Sequence, residues 1–553
     1  MKKHNTFKVL GILLLLVLVA SYFLVGRSGS LAYIGITDIF MKYLQTLYYF
    51  FYLIVFLFAV GGLYGVLSKS ASYKKLLDNI VTKTKPFGKK IIFVFIVIIS
   101  IIASFTGLTL PLIIFIPFIS AIILMLGYDK LVALATTIGS IVVGYLGGVF
   151  ITFSNPNTGA LTTYETFVGL DGQFANMFPK LLLLFAGIAL LIAFVNSYIV
   201  AVENKKVKFE LSDDSQVLAS EVSGDYKKIK VWPMIVTLIS LFVILVLGTF
   251  PFESLFGATF FATFHTIINT LTIGGLILRL LVLLVAFGLV VLVQWIISLI
   301  KKKKFKFKFL LPIWVSVITV LVLEIINAAG WFNLYSFSFI GKFAKVLAGN
   351  AFLDFAIVQN SIFSELVEFG GWASNGDSMC YLLISIVLII YTAIIALIDK
   401  IKFDDVIDNT LTGFKKMIPT VVLVLVAYTV LVTSYTNGFM EAIISGCSKF
   451  NYGLSAILGL LGSILSVDNY YIVAGVFSPI LNLITDESVY ESVAVMFQGI
   501  FSIFSILAPT SVLLLFGLSY FDVPYTTWIK FIWRFILGLI ILLAFVVMLV
   551  VLL

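Results

Sequence analysis

The stretch "FITFSNPNTGALTTYETF", Phe150–Phe167, follows about twenty almost unbroken apolar residues and decides how the chain is read. Lipid offers no hydrogen-bond partner to a freed backbone group, so a polar, proline-containing break survives only inside protein or at a wet cavity. Pro156 lacks an N–H and pushes Asn155 out of helical geometry. Ser154, Asn155, Asn157 and Thr158 then present neutral donors and acceptors at the break. A surface turn would need the same residues, and the preceding apolar run is already long enough to cross a bilayer. The second half of the chain weighs against the turn. There "LAPTS", Leu507–Ser511, is followed by "VLLLFGLSYF" before the first acid, Asp522. A break followed by another apolar half-span is a helix interrupted within the membrane, and Thr510 and Ser511 join the candidate substrate-binding residues.

The rest of the chain agrees with a membrane environment. It is 61% hydrophobic and 11% charged, against about 25% charged in a soluble domain. Runs of about 17–25 apolar residues predict about 11 spanning helices. They fall near 8–25, 43–67, 131–152, 180–200, 232–249, 275–299, 309–328, 380–398, 418–435, 487–507 and 531–552. The first run is too long for a signal-peptide core and lacks a clear cleavage site, so it reads as a retained helix. Two regions hold only shorter arms around polar tips. Residues 91–125 flank "SFTGLT", whose Thr106 is a further candidate substrate-binding residue, and residues 454–484 flank "SVDN" with Ser466, Asp468 and Asn469. The shorter arms cover about 18–21 Å, less than the roughly 30 Å hydrocarbon core, which predicts re-entrant hairpins.

Lysine placement orients the chain. With the N-terminus inside, the cytoplasmic segments hold 29 of the 36 basic residues, including seven Lys between 68 and 90 and "KKKKFKFK" at 301–308. The positive-inside rule therefore accounts for the net charge of +9. A nucleic-acid partner is not needed, and attraction to anionic lipid is a side effect. Cys380 and Cys447 have neither metal nor disulfide spacing. His4 and His265 stand alone.

Residues 47–167 and 418–521 repeat one order of features. A span is followed by an amphipathic stretch, a hairpin, an acidic start and a long span ending at a polar break. Residues 68–90 carry seven Lys and one acid, whereas 436–452 carry only Glu441 and Lys449, so the two copies are inverted. Such a fold places a small-solute site near the midplane between the copies. The expected organisation is an N-terminal helix and outer loop (1–42), repeat 1 (43–202), a charged linker (203–230), connecting helices (231–399) and repeat 2 (400–553). The whole is an all-α polytopic membrane protein with two inverted repeats and broken helices.

"GYDKLVALATTIGSIVVGYLGGVFITFSNPNTGA" and "VAVMFQGIFSIFSILAPTSVLLLFGLSYFDVPYTTWIKFI" resemble the YfcC-like and C4-dicarboxylate anaerobic carrier family of the ion transporter superfamily. The resemblance covers roughly 47–200 and 400–545. It implies secondary transport of dicarboxylates or amino acids, and a homodimer.

The expected function is secondary active transport, by symport or exchange, of a small carboxylate-bearing solute across the cell membrane. Asp468 is the acid of most interest, because an intramembrane carboxylate is expensive. With Ser466 and Asn469 it is the candidate coupling site for Na⁺ or H⁺. No other cofactor is expected. Arg279 and Glu324 lie near outer helix ends and read as surface residues. Gln498 and Ser505 share one helix face, either for function or for packing. A polytopic enzyme acting on a lipid-linked substrate would need clustered acids or a His/Ser/Asp set at one membrane face. The only dense acidic group, "FDDVIDN" at 403–409, reads as a solvated face. A channel would need a charged pore ring or a filter repeat, and the sequence shows neither.

Overall fold

The computed structural model describes residues 5–24, 36–108, 110–149, 153–154, 161–162, 164–168, 177–204, 229–250, 287–288, 291–299, 305, 307, 376–436, 439, 464–465 and 489–552. The chain divides into two units, Met1–Val231 with Gly376–Leu553, and Trp232–Asn375. Within the second unit, a helix over Trp232–Thr249 coincides with the span expected at 232–249. The spans expected at 275–299 and 309–328 lie partly or wholly outside the described residues.

In the first unit the order is α1 (Asn5–Leu24), α2 (Ile36–Tyr49), α3 (Phe51–Leu67), α4 (Ala71–Thr84), α5 (Lys90–Thr106), a 3-10 turn (Leu110–Phe115) and α6 (Ile116–Met125). Then come α7 (Lys130–Leu146), a two-residue ladder pairing Phe153–Ser154 with Leu161–Thr162, α8 (Tyr164–Val168) and α9 (Met177–Glu203). With the helix of the second unit counted as α10, the chain returns as α11 (Gly376–Ile398), α12 (Phe403–Thr436), α13 (Tyr490–Leu507), α14 (Val512–Tyr520) and α15 (Tyr525–Leu552). Apart from the ladder the described residues in regular elements are helical, as expected of a polytopic membrane protein. Among the described residues six helices are long and apolar enough to span, or up to eight if two bent pairs are each one span.

Three expectations are corrected. The span at 43–67 is not straight, because α2 and α3 meet at 64°. α12 begins well before residue 418 and runs through Pro419; neighbouring helices relieve an intramembrane proline by local adjustment. The run at 131–152 stops being helical at Leu146, ahead of Pro156. Gly147 and Gly148 end it, at a place where side chains from other elements take up the helix carbonyls.

The first hairpin has the expected shape. α5 ends on Gly107, left-handed at φ 66°, which turns the chain at the tip. Pro111 sits in the 3-10 turn and Pro117 in the first turn of α6, where a missing N–H costs nothing. α4 bends 115° away from α5. Its Leu76, Leu77 and Val81 are buried while Thr82 and Lys83 are exposed, so it is amphipathic.

α3 and α12 touch backbone to backbone. A Cβ on Gly413 would lie 2.0 Å from the Gly61 carbonyl oxygen, and one on Gly65 would lie 2.1 Å from the Asn409 carbonyl oxygen. Small residues at this spacing let apolar helices approach closely in the absence of a hydrophobic drive.

One face of the unit gathers segments that the lysine pattern assigns to one side. Ser70 Oγ and Ser72 N donate to the Asp399 carboxylate, so the turn after α11 caps the start of α4. Lys75 Nζ reaches the Ile229 carbonyl at 2.8 Å, and Asn5 Nδ2 reaches Thr526 Oγ1 at 2.9 Å. Tyr198 donates to Asp129 at 2.6 Å. Beside it, partial burial and the Glu203 carboxylate raise the Tyr128 phenol above its ordinary value. The acids of 403–409 open α12; Asp404, Asp405 and Asp408 are exposed, as expected for a solvated face.

Candidate functional site

α7 and the α13–α14 pair run antiparallel along each other. Gln498 meets Tyr145–Gly148, Ser502 meets Val142, and Gly517 packs on Leu134 and Ile138. α7 contains one π turn, Ala135–Gly139, beside α14. Such turns displace a register and are frequent at functional sites.

The break after α13 is complete in its hydrogen bonding. Ala508 is extended at ψ 133° and Ser511 at ψ 120°, so helical bonding stops between them. The Phe504 carbonyl accepts from Ala508 N at 2.8 Å. The Ser505 carbonyl accepts from Ser511 Oγ at 2.7 Å. The Ile506 carbonyl accepts from Trp528 Nε1 at 3.0 Å, and the Leu507 carbonyl from Tyr525 OH at 2.7 Å. Each of the last four carbonyls of α13 therefore has a donor. Leaving one such group buried and unpaired costs about 1–3 kcal/mol. On the far side, Ser511 Oγ accepts from Leu514 N at 3.3 Å as the N-cap of α14. Thr510 Oγ1 donates to the Ile464 carbonyl at 2.9 Å, which ties the break to the segment leading into "SVDN". Thr510 and Ser511 are both buried.

The end of α7 is held from two other elements. Ser104, at the first hairpin tip, donates to the Gly147 carbonyl at 2.7 Å, and its own carbonyl accepts from Val149 N at 3.0 Å. Gln498 of α13 donates through Nε2 to the carbonyls of Tyr145 (3.0 Å), Leu146 (3.3 Å) and Gly148 (2.9 Å). Three acceptors around one atom fix the amide orientation, since the opposite flip would set oxygen against oxygen. Ser502 Oγ adds a bond to the Val142 carbonyl at 2.6 Å. Among the described residues, Gln498 Oε1 and Thr136 Oγ1 are buried atoms with no partner. Lys180, in the first turn of α9, is buried, and its carbonyl oxygen lies against Gly147.

The expected site residues are therefore placed as follows. Thr510 and Ser511 form the second break. Thr106 is half-buried at the first tip and bonds locally, donating to the Ile102 carbonyl at 2.5 Å and accepting from Leu108 N at 3.2 Å. Ser154 pairs with Leu161 in the ladder. Asn155, Asn157, Thr158, Ser466, Asp468 and Asn469 lie outside the described residues, as do Arg279, Glu324, His265 and Cys447. Ser505 bonds back to Phe501 within its own helix, at 2.8 Å. Among the described residues no group of three or more His, Cys, Asp or Glu could hold a metal.

Ser104, Ser502, Tyr525, Trp528 and Lys180 were not candidates in the sequence. Their signal there is weak. Ser104 and the aromatic pair lie inside quoted motifs, but only the fold shows which carbonyls they meet.

Residues 40–291 match the model of a family described as the C4-dicarboxylate anaerobic carriers. The resemblance stated from the sequence is thus borne out over that region. No curated protein and no solved structure matches the chain.

Proposed function

We propose, taking the match of residues 40–291 to the C4-dicarboxylate carriers as premise, that this multi-pass membrane protein is a secondary active transporter of a small dicarboxylate. The observation that carries the reading is an interrupted helix, α13–α14, lying antiparallel to a helix that ends within the protein, α7. One ends at Gly147 and the other at Ala508, both inside protein, and Gln498 crosses from one to the other. Broken helices of this kind bind small solutes in transporters, because a helix N-terminus such as that of α14 attracts a carboxylate. α7 and α13 each lead into a break, and α9 and α15 each follow one. We read them as halves of inverted repeats that expose the site alternately to the two sides.

The lysine count supports a cytoplasmic position for the clustered face and the N-terminus. The coupling ion, Na⁺ or H⁺, is assigned to the second tip at Ser466, Asp468 and Asn469. An exchanger of related solutes would use the same site, and a homodimer would leave it within each protomer. Transport is favoured over an enzyme by the match to a carrier family.

The test is uptake of radiolabelled succinate, fumarate, malate and aspartate into proteoliposomes, with Na⁺ and pH gradients imposed separately. Aspartate also tests the amino-acid branch, being a C4-dicarboxylate that carries an ammonium. Saturable accumulation of at least one under a gradient is expected. Failure to move any of the four, in vesicles shown to hold folded protein, would end this reading.

A further inference from the structure

The corner between α4 and α5 carries an aromatic ring inside a ring of charge. Lys85–Phe87 form a 3-10 turn, and Gly88, left-handed at φ 53°, follows it where the chain bends by 115° into α5. Phe87 stands at this corner and is 62% exposed. Beside it in the chain, Lys83, Lys85 and Lys90 are exposed and Lys89 is half-buried. No acid occurs between Asp78 and Asp129 to offset them locally.

The adjoining helix shows what lies alongside. Val94, Ile98, Ile101 and Phe105 share one face of α5 at helical spacing and are exposed, whereas Ile92, Ile96, Ile99 and Ala103 on the opposite face are buried. An exposed apolar stripe on a membrane arm faces acyl chains. It begins one turn, about 6 Å, beyond Lys90, which sets the corner at the level where acyl chains give way to headgroups. Ammonium groups are drawn to anionic headgroups there, and an aromatic ring among them enters the acyl boundary. The positive-inside rule explains the sign of the lysines. It does not explain an exposed phenylalanine in their midst.

We propose that the corner Lys83–Lys90 is a binding site for an anionic phospholipid, with the lysines on the headgroup phosphate and Phe87 at the base of the acyl chains. The site holds the point from which the first hairpin arm enters the membrane, and it does not depend on the identity of the cargo.

The experiment reads which lipid touches the corner. Phe87→Cys, in the full chain with Cys380→Ser and Cys447→Ser, carries a bimane fluorophore in place of the ring. The protein is reconstituted into vesicles of phosphatidylcholine with a minor share of phosphatidylglycerol. Bromine is carried on the acyl chains of one lipid or the other, and quenching is divided by that lipid's mole fraction. Quenching by phosphatidylglycerol should exceed quenching by phosphatidylcholine at least threefold. Replacing the four lysines together by Gln should bring the ratio close to unity, and replacing them by Arg should keep it. The same probe at Ile541→Cys, on the exposed face of α15, should give a ratio near unity throughout. A ratio near unity at the corner with its lysines present overturns the proposal, with no further variant required. So does a ratio that survives their replacement by Gln, and so does an absence of quenching by either lipid, which sets the corner in water. Transport does not enter the readout, so failure of the carrier reading leaves this result standing.

Discussion

Gln498 Nε2 lies 2.9 Å from the Gly148 carbonyl and 3.0 Å from that of Tyr145, residues some 350 positions away in the chain. A single side-chain amide on α13 thus closes the end of α7. The contact joins the two elements that the sequence shows as interrupted, and it does so with a residue that is 1% exposed.

Replacing this amide should be costly in a graded way. Gln498→Leu removes the amide donor from the Leu146 and Gly148 carbonyls, at about 1–3 kcal/mol for each group left buried and unsatisfied, while the Tyr145 carbonyl keeps the Gly148 N–H. Gln498→Glu should be worse at neutral pH, because a carboxylate would face three carbonyls. Only the protonated acid can donate to those carbonyls, so stability is retained at low pH and lost as pH rises. Thermal unfolding in detergent across pH 4–8 checks this; a Gln498→Glu deficit that does not grow with pH would contradict it.

The second break should depend on two aromatic donors. Trp528→Phe and Tyr525→Phe keep the rings but leave the Ile506 and Leu507 carbonyls without their donors. Each should lower the melting temperature, by about 1–3 kcal/mol of stability. Phe531→Leu, which changes ring packing without touching these carbonyls, is the comparison. Equal loss in all three would mean that packing, rather than donation, supports the break.

The contact of α3 with α12 leaves no room at Gly413. A Cβ there would sit 2.0 Å from the Gly61 carbonyl oxygen, whereas one on Gly11 would meet nothing within 4 Å. Gly413→Val should abolish monodisperse protein in size-exclusion chromatography, and Gly11→Ala should not. A well-behaved Gly413→Val would show that the helices can separate without loss.

Orientation follows from the clustered face. Cysteines introduced at the exposed Thr82 and Asp404 should react with an impermeant maleimide only after the cells are permeabilised, and one at Asn437 should react in intact cells. Labelling of Thr82→Cys and Asn437→Cys from the same side would contradict the inverted arrangement.

The elements were largely legible in the sequence, because a bilayer makes apolar length and proline placement decisive. The helices over Trp232–Thr249 and Gly376–Ile398 lie close to their expected limits, as does the first hairpin. What misled was Pro156. Proline breaks a helix, but so does a helix end whose carbonyls are met from outside, and that happens earlier, at Gly147. Gln498, Ser104 and Trp528 act through residues tens or hundreds of positions away. No local pattern could distinguish the Gln498 amide as a cap from the same amide in a packing contact. Lys180 was counted among the few basic residues outside the cytoplasmic set, since a charge tally records sign and side but not burial.

The fully bonded end of α13 bears on the unloaded protein. No carbonyl there waits for a sodium ion or a substrate to complete it, so the interrupted helix is a finished structure before cargo arrives. Purification in cargo-free detergent should therefore yield intact protein. A rise in melting temperature on adding a solute then reports occupancy, following the logarithm of solute concentration over its dissociation constant, rather than repair of a defective fold.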